Sequence, residues 1–260
     1  EIPQPGENQV VIQMQACPLN PSDLGVMFGL ADMTTAIQSG SADRPVIRAE
    51  VPAKFMSALK ARVGKSLPVG NEGAGKVIAT GSSAAAKSLM GKTVAVIGGG
   101  TYRKYLCADV RSCLEMAPGT SATEAASSFV NPLTALAMVE TMRAEGHKAI
   151  VHAAAASNLG QMLNRICIAD GIDLVNIVRK PEQETLLRDM GAKYIVNSSS
   201  DSFYADLTAA LVATGATIAF DPIGGGKLAS DILTCMEAAA SRNMTEYSVY
   251  GTDVYKQVYI

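Results

Sequence analysis

The sequence predicts an α/β chain in two parts: an irregular β region, then a doubly wound parallel sheet with helices on both faces. Three observations predict it. From Ala149 onward, short apolar runs alternate with segments of helical spacing, the pattern of β-α-β units. Residues 1–115 instead hold short β-like pieces separated by Gly, Pro and Ser, with no such alternation. Between strand and helix at the head of the regular part stands IVHAAAASNLGQML, residues 150–163, a strand–turn–helix of the kind that often holds a dinucleotide.

In the second half, AIVHA reads as a strand. NLGQMLNRICIADG reads as a helix, with Leu159, Met162, Leu163 and Ile166 on one side and a stop at Gly171. LVNIV, YIVN, TIAFD and QVYI are the further strands. EQETLLRDMGA, SFYADLTAALVATGA and KLASDILTCMEAAA are the helices between them. In the first half, NQVVIQMQA, GKVIATGS, KTVAVIGG and YRKYLCAD are the β-like pieces. Residues 27–68 read as an insertion with some helix. TSATEAASSFVNPLTALAMVETMRAEG reads as a long helix, opened by a Ser/Thr cap and interrupted at Pro132. The expected division is 1–118, containing the insertion at about 27–68, and 119–260.

Composition narrows the function classes. The chain is 48% apolar and 18% charged, enough for a packed core and a polar surface. Its net charge is −2 and it has no basic run, so nucleic acid and acidic membranes are not expected partners. Five scattered cysteines without a C-x-x-C pair argue against a disulfide framework or a structural zinc lobe. No run approaches the roughly 20 apolar residues of a membrane helix. The first residues lack the basic start and apolar core of a signal peptide. The expectation is a cytoplasmic protein.

The loop at 150–163 has one glycine, Gly160, where dinucleotide loops usually have several. Ala154-x-x-Ser157-x-x-Gly160 nevertheless keeps the rhythm, with the smallest substitutes for glycine. Ala156, Ser157, Asn158, Leu159 and Gly160 are therefore candidate cofactor-binding residues; an Ala-rich helix start is the plain alternative. An NAD site usually carries an acid at the tip of the second strand. Here the tip reads NIVRKPEQ, and the cations Arg179 and Lys180 suit a 2′-phosphate, so NADP(H) is expected over NAD. Three P-loop lookalikes fail. Ala86 and Leu59 stand where GKT at 91–93 and GKS at 64–66 need their first glycine, and Leu228 follows GGGK at 224–227 in place of Ser or Thr.

CPLNPSDLGVMFG, VGNEGAGKVIATGS, MGKTVAVIGGGTYRKYL, NPLTALAMVE and AFDPIGGGK, in this order, resemble the medium-chain dehydrogenases/reductases, and most nearly their zinc-independent quinone oxidoreductases. The resemblance covers nearly the whole chain except 27–68 and 241–256. It implies a GroES-like catalytic and substrate domain followed by a Rossmann NADP-binding domain, with the C-terminal remainder of the family fold outside this chain. It also implies no zinc: Asn20 stands where zinc-dependent relatives carry Cys, and Asn71 where they carry the His of G-H-E, and neither is a competent ligand.

The activity this resemblance implies is hydride transfer from NADPH to a quinone or α,β-unsaturated carbonyl without zinc. A 2-enoyl thioester reductase is the alternative, and an NADPH-binding protein with little turnover is the alternative of another class. A homodimer is possible, because relatives pair through their sheets. By position, Asn20 matches a polar group near the nicotinamide, Thr134 a threonine near the cofactor phosphates, and Asn131, a cofactor-binding candidate, the NP-x-TA of 2-enoyl thioester reductases; a turn Asn at 20 and a helix cap at 131 or 134 are the plain alternatives. Tyr102, a candidate proton donor, also reads as a packed core tyrosine, and that plain reading is preferred. Asp221 ends TIAFD at the carboxyl end of a parallel strand, where ligands bind; a turn-capping aspartate fits equally well. His152, at the tip of the first parallel strand, reads as packed or hydrogen-bonded near the cofactor.

Overall fold

The structure is a computed structural model, and it describes residues 2–242, 244 and 248–260. The chain divides into two compact units, residues 1–130 and 131–260.

The first unit contains β1 (Gln9–Ala16), α1 (Pro21–Met27), β2 (Asp32–Ser41), β3 (Arg44–Glu50), α2 (Met56–Leu59), β4 (Glu72–Thr80), α3 (Ala84–Ser88), β5 (Thr93–Ile97), β6 (Tyr105–Asp109), β7 (Cys113–Glu115) and α4 (Ala122–Ala125). Five strands pair antiparallel in the order β6-β1-β4-β5-β7. Alternation in these strands sends Val10, Ile12, Val77, Val94, Val96 and Leu106 to one core. Ala74 and Ala95, on the opposite face, pack with Ala125 and Ala126.

Two expectations need correction here. The first part of the insertion is a β-hairpin, with Gln38 opposite Ile47 and Ser41 opposite Arg44; helix is confined to α2 and one short 3-10 turn, Ala53–Phe55. Most of the hairpin is exposed, so no core periodicity marks it in the sequence. Nor does Pro132 interrupt the long helix, which breaks at 126–129, ahead of α5 (Val130–Ala144). The cause is a distant side chain: the Glu72 carboxylate takes the backbone N–H groups of Phe129 and Val130, at 2.9 and 3.0 Å. Pro132 then falls in the first turn of α5, where a missing N–H costs nothing.

The second unit continues with β8 (Ala149–His152), α6 (Asn158–Asp170), β9 (Asp173–Val178), α7 (Pro181–Asp189), β10 (Tyr194–Asn197), α8 (Phe203–Thr214), β11 (Ile218–Phe220), α9 (Leu228–Arg242) and β12 (Gln257–Tyr259). Among the described residues its five strands are all parallel, in the order β10-β9-β8-β11-β12. One face buries Val151, Ile177 and Ala219 against Leu207 of α8 and Ile232 of α9. The other buries Ile150, Leu174 and Ile218 with Val139 of α5 and Leu163 of α6. The first strand of the unit is therefore central. The chain reverses direction across the sheet between β8 and β11, which puts a binding crevice at their carboxyl ends.

Candidate functional site

The loop from β8 to α6 is anchored on both sides. Ala153 donates its backbone N–H to Phe220 O of β11, and Ala155 donates to Ile177 O of β9, at 3.0 and 3.1 Å. Between them Ala154 has φ +52°, the left-handed conformation that usually selects glycine. Ser157 caps α6 by accepting the N–H of Gly160 at 3.1 Å, and Gln161 Nε2 clamps Ala156 O at 3.0 Å. A Cβ on Gly160 would lie 2.2 Å from Ala155 O. This glycine therefore supplies space, and an alanine supplies the left-handed turn. The amides of Asn158 and Leu159 open the helix, where no intrahelical acceptor exists and an anion is favoured.

Beside this loop lies a cleft of about 640 Å³, bounded by Ala154, Ser157, Arg179, Ser200, Tyr204 and Lys227 among others. It spans the carboxyl ends of β8, β9 and β10 and the start of α9. Arg179, Ala156 and Ser157 all line it. Lys180 is exposed at the start of α7 and is not among the lining residues. Gln183 Oε1 accepts the backbone N–H groups of both Arg179 and Lys180, which holds the strand tip in place. A second cleft of about 730 Å³ lies by Gly215, Thr217 and Met236, at the amino end of β11, away from the loop.

At the end of β8, His152 is fully buried, and its Nδ1 lies 3.3 Å from Phe220 O. Burial pushes its imidazole down to about 4, against the opposing pull of that carbonyl and of Asp221. Asp221 is also buried; Oδ1 accepts the N–H of Ile223 at 3.0 Å, an Asx turn into the loop before α9. Asn131 and Thr134 stand in the first turn of α5, half-buried and exposed respectively.

In the first unit, Asn20 caps α1 as a buried residue and donates from Nδ2 to Glu72 Oε1 at 3.2 Å. Its backbone N–H donates to Asp23 Oδ2 at 2.8 Å. Asn71 donates its side-chain amide to Ser22 Oγ and its backbone N–H to Asp23 Oδ1. Tyr102 donates to Pro18 O at 2.7 Å, with Asp23 Oδ2 at 3.2 Å; burial and the Asp23 charge push its hydroxyl up to about 12. These groups form one polar network, buried at Asn20, Asp23 and Glu72, in which the two carboxylates accept most of the hydrogen bonds. Among the described residues no group of three His, Cys, Asp or Glu is placed to hold a metal ion. No helix among them is long and apolar enough to cross a membrane.

Sequence reading missed Lys227, Ser198, Ser200 and the Tyr204–Asp231 pair, whose hydroxyl-to-carboxylate hydrogen bond is 2.8 Å. Lys227 was visible only inside a failed P-loop match. Its place in the same cleft as Arg179 follows from strand order, which no local motif carries.

No protein-family model matches the chain. It is 27% identical over 195 residues to the mitochondrial enoyl-(acyl-carrier-protein) reductase of Rattus norvegicus, covering 73% of this chain and 45% of the relative. The enzyme of the same name from Caenorhabditis elegans is 30% identical over 198 residues, covering 74% and 49%. The chain thus spans about half the length of the curated relatives it matches. Among solved structures, that of a candidate NADPH:quinone reductase from Mesorhizobium loti is 31% identical, with a TM-score of 0.68, covering 90% of this chain and 61% of that one.

Proposed function

We propose, from a chain that resembles the medium-chain dehydrogenases/reductases of the quinone oxidoreductase type and shares their antiparallel-plus-parallel fold, that it binds NADPH and serves hydride transfer to an activated C=C bond or a quinone. The observation that carries this reading is the loop at 153–160. It keeps the turn and the capped helix start of a dinucleotide cradle although alanine has replaced the usual glycines. The residues present fit the cofactor. The first-turn amides of α6 would take the pyrophosphate, Arg179 at the cleft would take the 2′-phosphate, and Asn131, Thr134 and Asp221 would complete the contacts.

Bound there, NADPH supplies the hydride; the protein's part is to hold and orient. Ser157 fixes the helix start, Gln183 fixes the strand tip that carries Arg179, and His152 stays neutral in its buried place. In the first unit Asn20 caps α1 and is held by Glu72. The bonded, high-pKa hydroxyl of Tyr102 supports a positioning role and not proton donation. Neither Asn20 nor Asn71 offers zinc a ligand, because their amides lack the charge or basicity that zinc selects.

The names of the curated relatives favour a second reading, a 2-enoyl thioester as acceptor. The test begins with fluorescence titration by NADPH and NADH, then compares rates with a crotonyl thioester and a simple quinone. Preferential NADPH binding with turnover of either acceptor supports the reading, and the faster acceptor identifies the class. Binding without turnover supports the low-turnover alternative. Failure to bind either nucleotide overturns the reading.

A further inference from the structure

The cleft beside the loop holds a second cation that the strand-tip motif does not include. Lys227 and Arg179 both line it, from the loop before α9 and from the tip of β9. Lys180, the neighbour of Arg179 in sequence, is absent from the lining. Lys227 is brought there by a loop that turns through left-handed Gly224 and Gly226, φ +61° and +68°, just ahead of α9. Its side chain is exposed. Among the described residues, neither it nor the Arg179 guanidinium has an ion-pair or hydrogen-bond partner. Two carboxylates, those of Asp201 and Asp231, also line the cleft; neither pairs with Lys227 or Arg179, and that of Asp231 accepts the Tyr204 hydroxyl.

We infer that Lys227 and Arg179, not Lys180, are the pair that selects the 2′-phosphate, so that specificity for the phosphorylated cofactor is divided between the second strand and the loop after the fourth. A phosphate dianion suits one guanidinium, bound in fork geometry, and one ammonium acting as a point charge. This inference rests on the NADPH reading above.

Calorimetric titration of the full chain tests it, with adenosine 2′,5′-bisphosphate, NADPH and NADH as probes. Lys227→Ala should weaken the bisphosphate and NADPH by about tenfold or more, the loss of one charge-assisted contact, and leave NADH unchanged. Lys227→Arg should restore most of the loss. An unchanged NADPH affinity in Lys227→Ala overturns the inference, as does an equal loss for NADH. So does a tenfold loss in Lys180→Ala alone. If the unmodified chain binds none of the probes, the nucleotide reading itself falls, an outcome distinct from selective binding that ignores Lys227. Lys227 is exposed, and matching circular dichroism spectra check that its variants fold.

Discussion

Acidification should weaken the second unit through one buried imidazole. His152 is fully buried at the end of β8, and burial pulls its pKa from an ordinary 6.5 to about 4. In the unfolded chain the same ring takes its proton near 6.5. At neutral pH both states are unprotonated and the stability is intact. As pH falls below 6.5 the unfolded state binds the proton first, and stability drops until the folded ring protonates near 4, below which this group costs nothing further. The gap, at 1.36 kcal/mol per pH unit, amounts to roughly 3 kcal/mol. That is a large share of an ordinary domain's stability.

Denaturant unfolding at several pH values between 7 and 4 should show this loss in the unmodified chain. It should be much reduced in His152→Asn, which keeps a donor for Phe220 O but does not titrate. The quantity compared is the pH slope, so a lower neutral-pH stability in the variant does not obscure it. Because the chain has two histidines, proton NMR can follow His152 directly. Titration of His152 near 6.5 in the folded protein, or equal slopes in the two proteins, would refute the reasoning.

Four other expectations rest on the same geometry. Gly160→Ala drives a Cβ to within 2.2 Å of Ala155 O, so the loop must shift and the Ser157 cap weaken. The expected cost is about 2–4 kcal/mol in denaturant melts, with loss of NADPH binding in titration. Ala154→Gly at φ +52° should change stability by no more than about 1 kcal/mol in the same melts. Glu72→Gln weakens the acceptor that holds Asn20, Phe129 and Val130, and its melt should show a loss of about 1–3 kcal/mol. Cys167, a buried thiol pushed up to about 12 chiefly by burial, should escape alkylation at pH 8 until the chain is unfolded, as peptide mass spectrometry would show.

The parallel half was legible almost element by element, because each strand there is a short apolar run and each helix carries a stripe that a sheet must cover. The loop was legible by its rhythm. The left-handed turn at Ala154 was not, since nothing in an alanine announces positive φ; the anchors at Ile177 and Phe220 impose it from strands made later. The break before α5 was hidden for a similar reason: its cause, Glu72, lies more than fifty residues upstream. The hairpin of β2 and β3 has no buried face to pattern it. Lys227 reaches the cleft only because β11 pairs beside β8. Local chemistry can be read from a sequence, but long-range pairing has to be seen.

The central place of β8 bears on how the chain can be assembled as it is synthesised. Glu72 of the first unit waits for the amides of Phe129 and Val130, so that unit can close once residue 130 is clear of the ribosome. The second unit cannot close so early. β8 emerges first and recruits β9 and β10 on one side, while its other edge stays bare until β11 arrives with Phe220. Until then the carbonyl that His152 needs does not exist, and the apolar face of β8 is open to any competing strand. A pause in translation between Asn197 and Ile218 would prolong that exposure, whereas one near residue 130 would leave a finished first unit waiting harmlessly.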